Sequence, residues 1–184
     1  MLCKGLHHAA FRCKDARETV EFYTKVLGLK FSHAMGEDHV PSTGKYSPHI
    51  HIFFEMEDGS SIAFFELPQD KGEPSGRCPE TPDWVQHFAF RVADVDTLMK
   101  AKADLEAKGI EVVGPTNHDD FLISIYFFDP SGHRLELSAD ISTPEQRKMF
   151  EQEAEEVLKV WEPTRDWSRR AEIFGDRTGY KRNR

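Results

Sequence analysis

Apolar and polar positions alternate from Leu6 to Cys13, the period-two pattern of a strand. Asp15 then caps a helix, with Glu18 three residues on, and Val20, Tyr23, Val26 and Leu27 give that helix one apolar face. Gly28 is a natural stop, and Leu29 to His33 reads as the next strand. Gly36 to Pro48 is polar, contains Gly, Pro and Ser, and reads as a loop. His51 to Met56 and Ser61 to Leu67 are two further strands, joined through Glu57-Asp58-Gly59, a hairpin signal. Pro68 to Pro82, rich in Pro, Gly and charge, reads as a linker.

The plan then repeats. Val85 to Val92 is a strand, Val95, Leu98, Ala101 and Leu105 line a helix that stops at Gly109, and Ile110 to Val113 is a strand. Ile123 to Phe128 and Arg134 to Ser138 form a hairpin around Asp129-Pro130-Ser131-Gly132. The stretch from His8 to Asp15 matches that from His87 to Asp94, with His, Ala, Phe, Arg and Asp recurring at an offset of 79 positions. Ile52-Phe53-Phe54 and Gly59 match Ile125-Tyr126-Phe127 and Gly132 at an offset of 73. Repetition at this length marks a duplicated module. The expected fold is α+β: two βαβββ modules, about 5–68 and 82–140, forming a curved mixed sheet around a metal cavity within a domain of residues 1–140.

From Ser142 the pattern changes to a helical extension over 141–184. Thr143-Pro144-Glu145-Gln146 supplies an N-cap, Pro at the first helical position and Gln at the capping-box position. Phe150, Ala154, Val157, Leu158 and Trp161 form one face of a long helix that Pro163 ends. This helix is expected to cover the sheet or to serve a dimer contact. Trp167, Ile173 and Phe174 suggest a further docked piece, and Lys181 to Arg184 a basic tail.

The 184 residues suffice for one domain with a substantial core. A net charge of −8 argues against nucleic-acid binding. No apolar run is long enough for a membrane span and no leader is evident. Cys3, Cys13 and Cys78 are odd in number and lack metal-like spacing, which fits a reducing, cytoplasmic setting.

The candidate chemistry starts from the repeat. Side chains alternate along a strand, so His7 and His8 cannot both face a site, and the repeat selects His8 as the counterpart of His87. Glu136, between Leu135 and Leu137, places one carboxylate opposite two apolar side chains. Two His and one carboxylate with open positions beyond is the pattern of a non-haem Fe(II) site.

Leu6-His7-His8-Ala9-Ala10-Phe11 and Asp129-Pro130-Ser131-Gly132-His133-Arg134-Leu135-Glu136 resemble the first strand and the last hairpin of the vicinal oxygen chelate superfamily, over roughly residues 5–140. Thr116-Asn117-His118, followed after six residues by the run from Ile125 to Gly132 and by Glu136, is similar to the signature of its single-domain extradiol dioxygenases. The resemblance implies Fe(II) on His8, His87 and Glu136, with Mn, Zn or Ni as other metals. His118 and Tyr126 would be catalytic groups, and dioxygen and an aromatic vicinal diol the reactants, in a homodimer. The chain departs from that pattern at the usual catalytic histidine, where Ser60 or Ser61 stands; His49 or His51 is the candidate replacement. Two rival readings follow from the same resemblance. One is a glyoxalase- or epimerase-type isomerase or lyase with Glu66 as fourth ligand. The other is a metal-free binding or resistance protein. Phe53, Phe54, Phe64 and Phe127 are expected in the core or on the cavity wall.

Overall fold

The computed structural model describes residues 2–68 and 80–165. Cys78, most of the Pro68–Pro82 linker, the Trp167, Ile173 and Phe174 segment and the basic tail lie outside the described residues. In chain order the elements are β1 (His8–Arg12), α1 (Ala16–Glu21) running into a π-helical turn (Phe22–Val26), β2 (Lys30–His39), β3 (Tyr46–Glu55) and β4 (Ser61–Glu66). They continue with β5 (His87–Val92), α2 (Val95–Ala107), β6 (Val113–His118), β7 (Leu122–Phe128), β8 (Arg134–Asp140) and α3 (Pro144–Thr164). The strands form two four-stranded sheets with the same order, β1-β4-β3-β2 and β5-β8-β7-β6. The duplication read in the sequence is thus a duplication of sheets. Each expected βαβββ module supplies one of the two sheets.

The chain packs as two compact units. The first comprises the described residues 2–68, 80–89, 104–112 and 126–136. In its sheet β1 runs parallel to β4, while β3 is antiparallel to both β4 and β2. Register and alternation give this sheet two faces. Ile62 and Phe64 share one face with Ile52 and Phe54, and the π-helical turn after α1 covers it: Tyr23 stacks on Phe54 at 5.0 Å and meets Phe64 at 4.9 Å between ring centroids. Fully burying aromatics of this kind contributes roughly 2–3 kcal/mol each. Asp15 caps α1 by accepting from the Glu18 N–H at 2.8 Å, as expected. Gly28, at φ +74°, adopts the left-handed conformation that turns the chain out of the π-helical turn.

The second unit comprises the described residues 90–103, 113–125 and 137–165. Leu98 of α2 is fully buried. Asp119 and Asp120, at φ 52° and 56°, make a two-residue turn between β6 and β7, closed by the Phe121 N–H donating to the His118 carbonyl at 2.9 Å. Both halves of the Thr143–Gln146 capping box are formed.

Several expected boundaries move. The Gly36–Pro48 stretch is mostly strand, because β2 and β3 pair from Lys30–Glu55 out to His39–Tyr46. Pro48 fits there because it falls where the register shifts between Glu37 and His39. The strand expected at Ile110–Val113 is β6, beginning at Val113, whose Gly114 and Pro115 sit on a sheet edge. On α3, Leu158 is exposed and Val160 buried, so the inward stripe is rotated from the one expected, and the helix runs one residue past Pro163. No helix among the described residues is long and apolar enough to cross a membrane.

Candidate metal centre

Glu136 owes its position to the turn before it. Asp129 accepts from the backbone N–H groups of Ser131 (2.9 Å) and His133 (2.8 Å), and Gly132, at φ +84°, completes the reversal. The turn is anchored within its unit: the Tyr23 hydroxyl donates to Asp129 at 3.1 Å, and the Lys14 N–H donates to Ser131 Oγ at 3.0 Å. His133 Nε2 lies 2.7 Å from the Arg12 carbonyl oxygen, with its ring among Phe11, Phe64 and Phe88. Burial raises the Asp129 carboxyl above its ordinary pKa, against the opposing pull of His133 and these donors.

On the strand that leaves this turn, Glu136 is 4% exposed, and its Oε2 lies 2.9 Å from His87 Nε2. His87 Nδ1 lies 3.2 Å from the Val85 carbonyl oxygen. A carbonyl only accepts, so Nδ1 carries a proton, and in the neutral ring the Nε2 lone pair points at a carboxylate. Only a proton or a cation makes that contact favourable. Two donors bound to one ion at about 2.1 Å each and at right angles stand about 3 Å apart. An imidazole oriented through its second nitrogen by a backbone carbonyl is the usual support for a metal-binding histidine. The His87–Glu136 pair therefore fits a metal in spacing, tautomer and donor chemistry.

His8 is not gathered with that pair: among the described residues no three His, Cys, Asp or Glu side chains cluster tightly enough to hold an ion. His8 Nδ1 instead lies 2.8 Å from His7 Nδ1. His8 pairs with Ser61 in the sheet, which puts it on the face of Ala63 and Phe65 and, across the sheet, of Phe53 and His51. Its ring is 5.4 Å from that of Phe53 and 6.1 Å from that of His51.

Glu66 is on the other face of this sheet, in step with Ile62 and Phe64. Its Oε2 accepts from the Ala16 N–H at 2.6 Å, holding the start of α1. The structure does not bring it to His8, and the register slip that a fourth ligand requires is absent.

His51 is the residue whose place the sequence left open. It is 8% exposed, stacked at 3.6 Å on Phe65, and its Nε2 is buried without a hydrogen-bond partner. Burial, with His8, His49 and His33 nearby, pushes its pKa down from 6.5 to about 4, so the ring is neutral at physiological pH. His49 is accounted for otherwise, its Nδ1 lying 2.7 Å from the Ser47 carbonyl oxygen. Tyr126 stands beside the His87–Glu136 pair, its ring 6.2 Å from that of His87 and covered by Arg134. His118 is the last residue of β6, half-buried, and belongs to the other unit.

The model of the Glyoxalase/Bleomycin resistance protein/Dioxygenase superfamily matches residues 5–137. A 2-epi-5-epi-valiolone epimerase from Actinomyces sp is 29% identical over 89% of this chain and 91% of its own length. A putative ring-cleaving dioxygenase, MhqA of Bacillus subtilis, is 27% identical over 76% of this chain, which spans 42% of that protein. Among solved structures, a glyoxalase/dioxygenase from Nostoc punctiforme is 25% identical, covers 76% of this chain and 92% of its own, and superposes with a TM-score of 0.54.

Proposed function

The chain belongs to the Glyoxalase/Bleomycin resistance protein/Dioxygenase superfamily, and from that premise we propose that it is a metal-dependent extradiol-type dioxygenase acting on a catechol or related vicinal diol. His87 and Glu136 would hold Fe(II), with His8 as the third donor. When bound, the ion would supply a Lewis acid that acidifies a coordinated hydroxyl and a meeting point for diol and dioxygen.

The observation that carries this reading is His51. Ring cleavage needs a group that moves protons to and from the substrate oxygens, and the usual residue for that is missing from this sequence. His51 fills the role from β3, sharing a face with His8 and holding a buried Nε2 free of protein partners. The neighbouring Phe53 and Phe65 exclude water around that nitrogen. Tyr126, beside His87, would orient a substrate oxygen through its hydroxyl.

A second reading is favoured by the epimerase relative, whose match extends past the family's residues 5–137 into the C-terminal region. The same three donors would then hold a metal whose Lewis acidity suits a carbonyl, and His51 would remove the neighbouring C–H proton, with no call on Glu66.

The test is dioxygen uptake by anaerobically Fe(II)-loaded protein against a panel of catechols, beside solvent-deuterium exchange into α-hydroxy ketones. Uptake with a coloured ring-opened product, lost in His51→Leu, supports the dioxygenase. Exchange without uptake replaces it with the epimerase, and neither activity in metal-loaded protein overturns both.

A further inference from the structure

The geometry points to Arg134 as an anchor for an acidic substituent, a carboxylate, on the molecule that this site accepts. Arg134 stands two residues before Glu136 on β8, so the two side chains leave the strand on one face. Its guanidinium carbon lies 4.2 Å from the centre of the Tyr126 ring, which in turn is edge-on to His87 at 6.2 Å. Arg134, Tyr126, His87 and Glu136 thus form one continuous patch within a single unit.

Three features of that patch select an anion. Arg134 is half-buried, and such a charge normally finds a carboxylate. Glu136, the nearest acid along its strand, is engaged with His87. Among the described residues Arg134 makes no ion pair and no hydrogen bond; its contact is the aromatic ring. The ring fixes the guanidinium without using its N–H donors. What is left is a rigid planar fork of five donors with no acceptor among the described residues, the arrangement that matches a carboxylate bidentately. Being always charged, it also offsets the negative charge of an acid brought beside Glu136.

On the catechol reading, on which this extension rests, the substrate class becomes a dihydroxy-aromatic acid: vicinal oxygens towards His87 and Glu136, and a carboxylate towards Arg134. The anchor itself is testable without metal or turnover.

The arginine Nε–Hε resonances of the whole chain are followed by NMR during titration with benzoate, and separately with benzamide, its neutral analogue. The Arg134 resonance is identified by its loss in Arg134→Lys. A saturable shift of that resonance with benzoate and not with benzamide is expected, along with about tenfold weaker benzoate binding in Arg134→Gln. No shift, or an equal shift with benzamide, overturns the anchor. In Fe(II)-loaded enzyme, the preference for 3,4-dihydroxybenzoate over catechol should fall about tenfold in Arg134→Gln. A benzoate-responsive Arg134 in a protein that cleaves no diol would retain the anchor and discard the dioxygenase; catechol cleavage with a silent Arg134 would do the reverse.

Discussion

Replacing Tyr23 with Phe removes one oxygen from the buried junction that sets the β7–β8 turn, and so tests how Glu136 is held in place. The ring stays, so its packing on Phe54 and Phe64 is kept and no cavity opens. What is lost is the hydroxyl that donates to Asp129 at 3.1 Å. Asp129 keeps its donors from Ser131 and His133 but becomes a buried carboxylate with one donor fewer. A hydrogen bond to a charged group contributes about 1.5–3 kcal/mol, and this one is fully buried, so Tyr23→Phe should destabilise by about 2 kcal/mol at neutral pH. The sign of the pH dependence follows from Asp129. Its folded pKa is raised by burial, so its ionisation opposes folding: relative stability is greatest below the unfolded value of 3.8 and is lost as pH rises through the folded value. Tyr23 moderates that loss, so its removal should cost more at pH 7.5 than at pH 3.5. Urea unfolding followed by circular dichroism at the two pH values measures both effects. A change under 0.5 kcal/mol, or an equal change at both pH values, would refute the role given to this hydroxyl.

Two further predictions concern buried groups. In the metal-free chain His51 has a folded pKa depressed from 6.5 to about 4; its contribution is complete above pH 6.5 and lost as pH falls through about 4. Between pH 7.5 and 4.5 the wild type should therefore lose about 2–3 kcal/mol more unfolding free energy than His51→Leu, and equal losses in urea titrations would contradict the buried neutral ring. Cys13 is buried with its thiol pushed up to about 11 by desolvation, whereas Cys3 is exposed. At pH 8 a thiol reagent should label Cys3 in the native protein and reach Cys13 only on unfolding, as read by peptide mass spectrometry.

The repeat made the architecture legible, since equal strand–helix–strand patterns produced two sheets of equal order. Matched position and strand alternation also singled out His87 and Glu136, whose side chains meet at 2.9 Å. The side of Glu66 was also readable: it shares parity with Phe64 along β4, and Phe64 belongs to the core. His51 was harder. Its parity with Phe53 is visible in the sequence, but its face depends on which β4 residue it opposes, and that register is set by a hairpin between distant segments. Gly36 and Pro48 masked the length of β2 and β3, because local turn preference was outweighed by cross-strand pairing. The β6–β7 turn was hidden because its left-handed positions carry Asp119 and Asp120 in place of glycine.

The most direct test of the account is metal stoichiometry and affinity, measured by anaerobic calorimetry with Fe(II) and Mn(II) in the wild type, His8→Ala, Glu136→Gln and Glu66→Gln. Loss of a supporting hydrogen bond around a metal typically costs 10–100-fold in affinity, so loss of a ligand should cost more than about 100-fold. One ion per chain is expected in the wild type and in Glu66→Gln, with binding abolished in His8→Ala and Glu136→Gln. Binding lost in Glu66→Gln, or kept at wild-type affinity in Glu136→Gln, would contradict it.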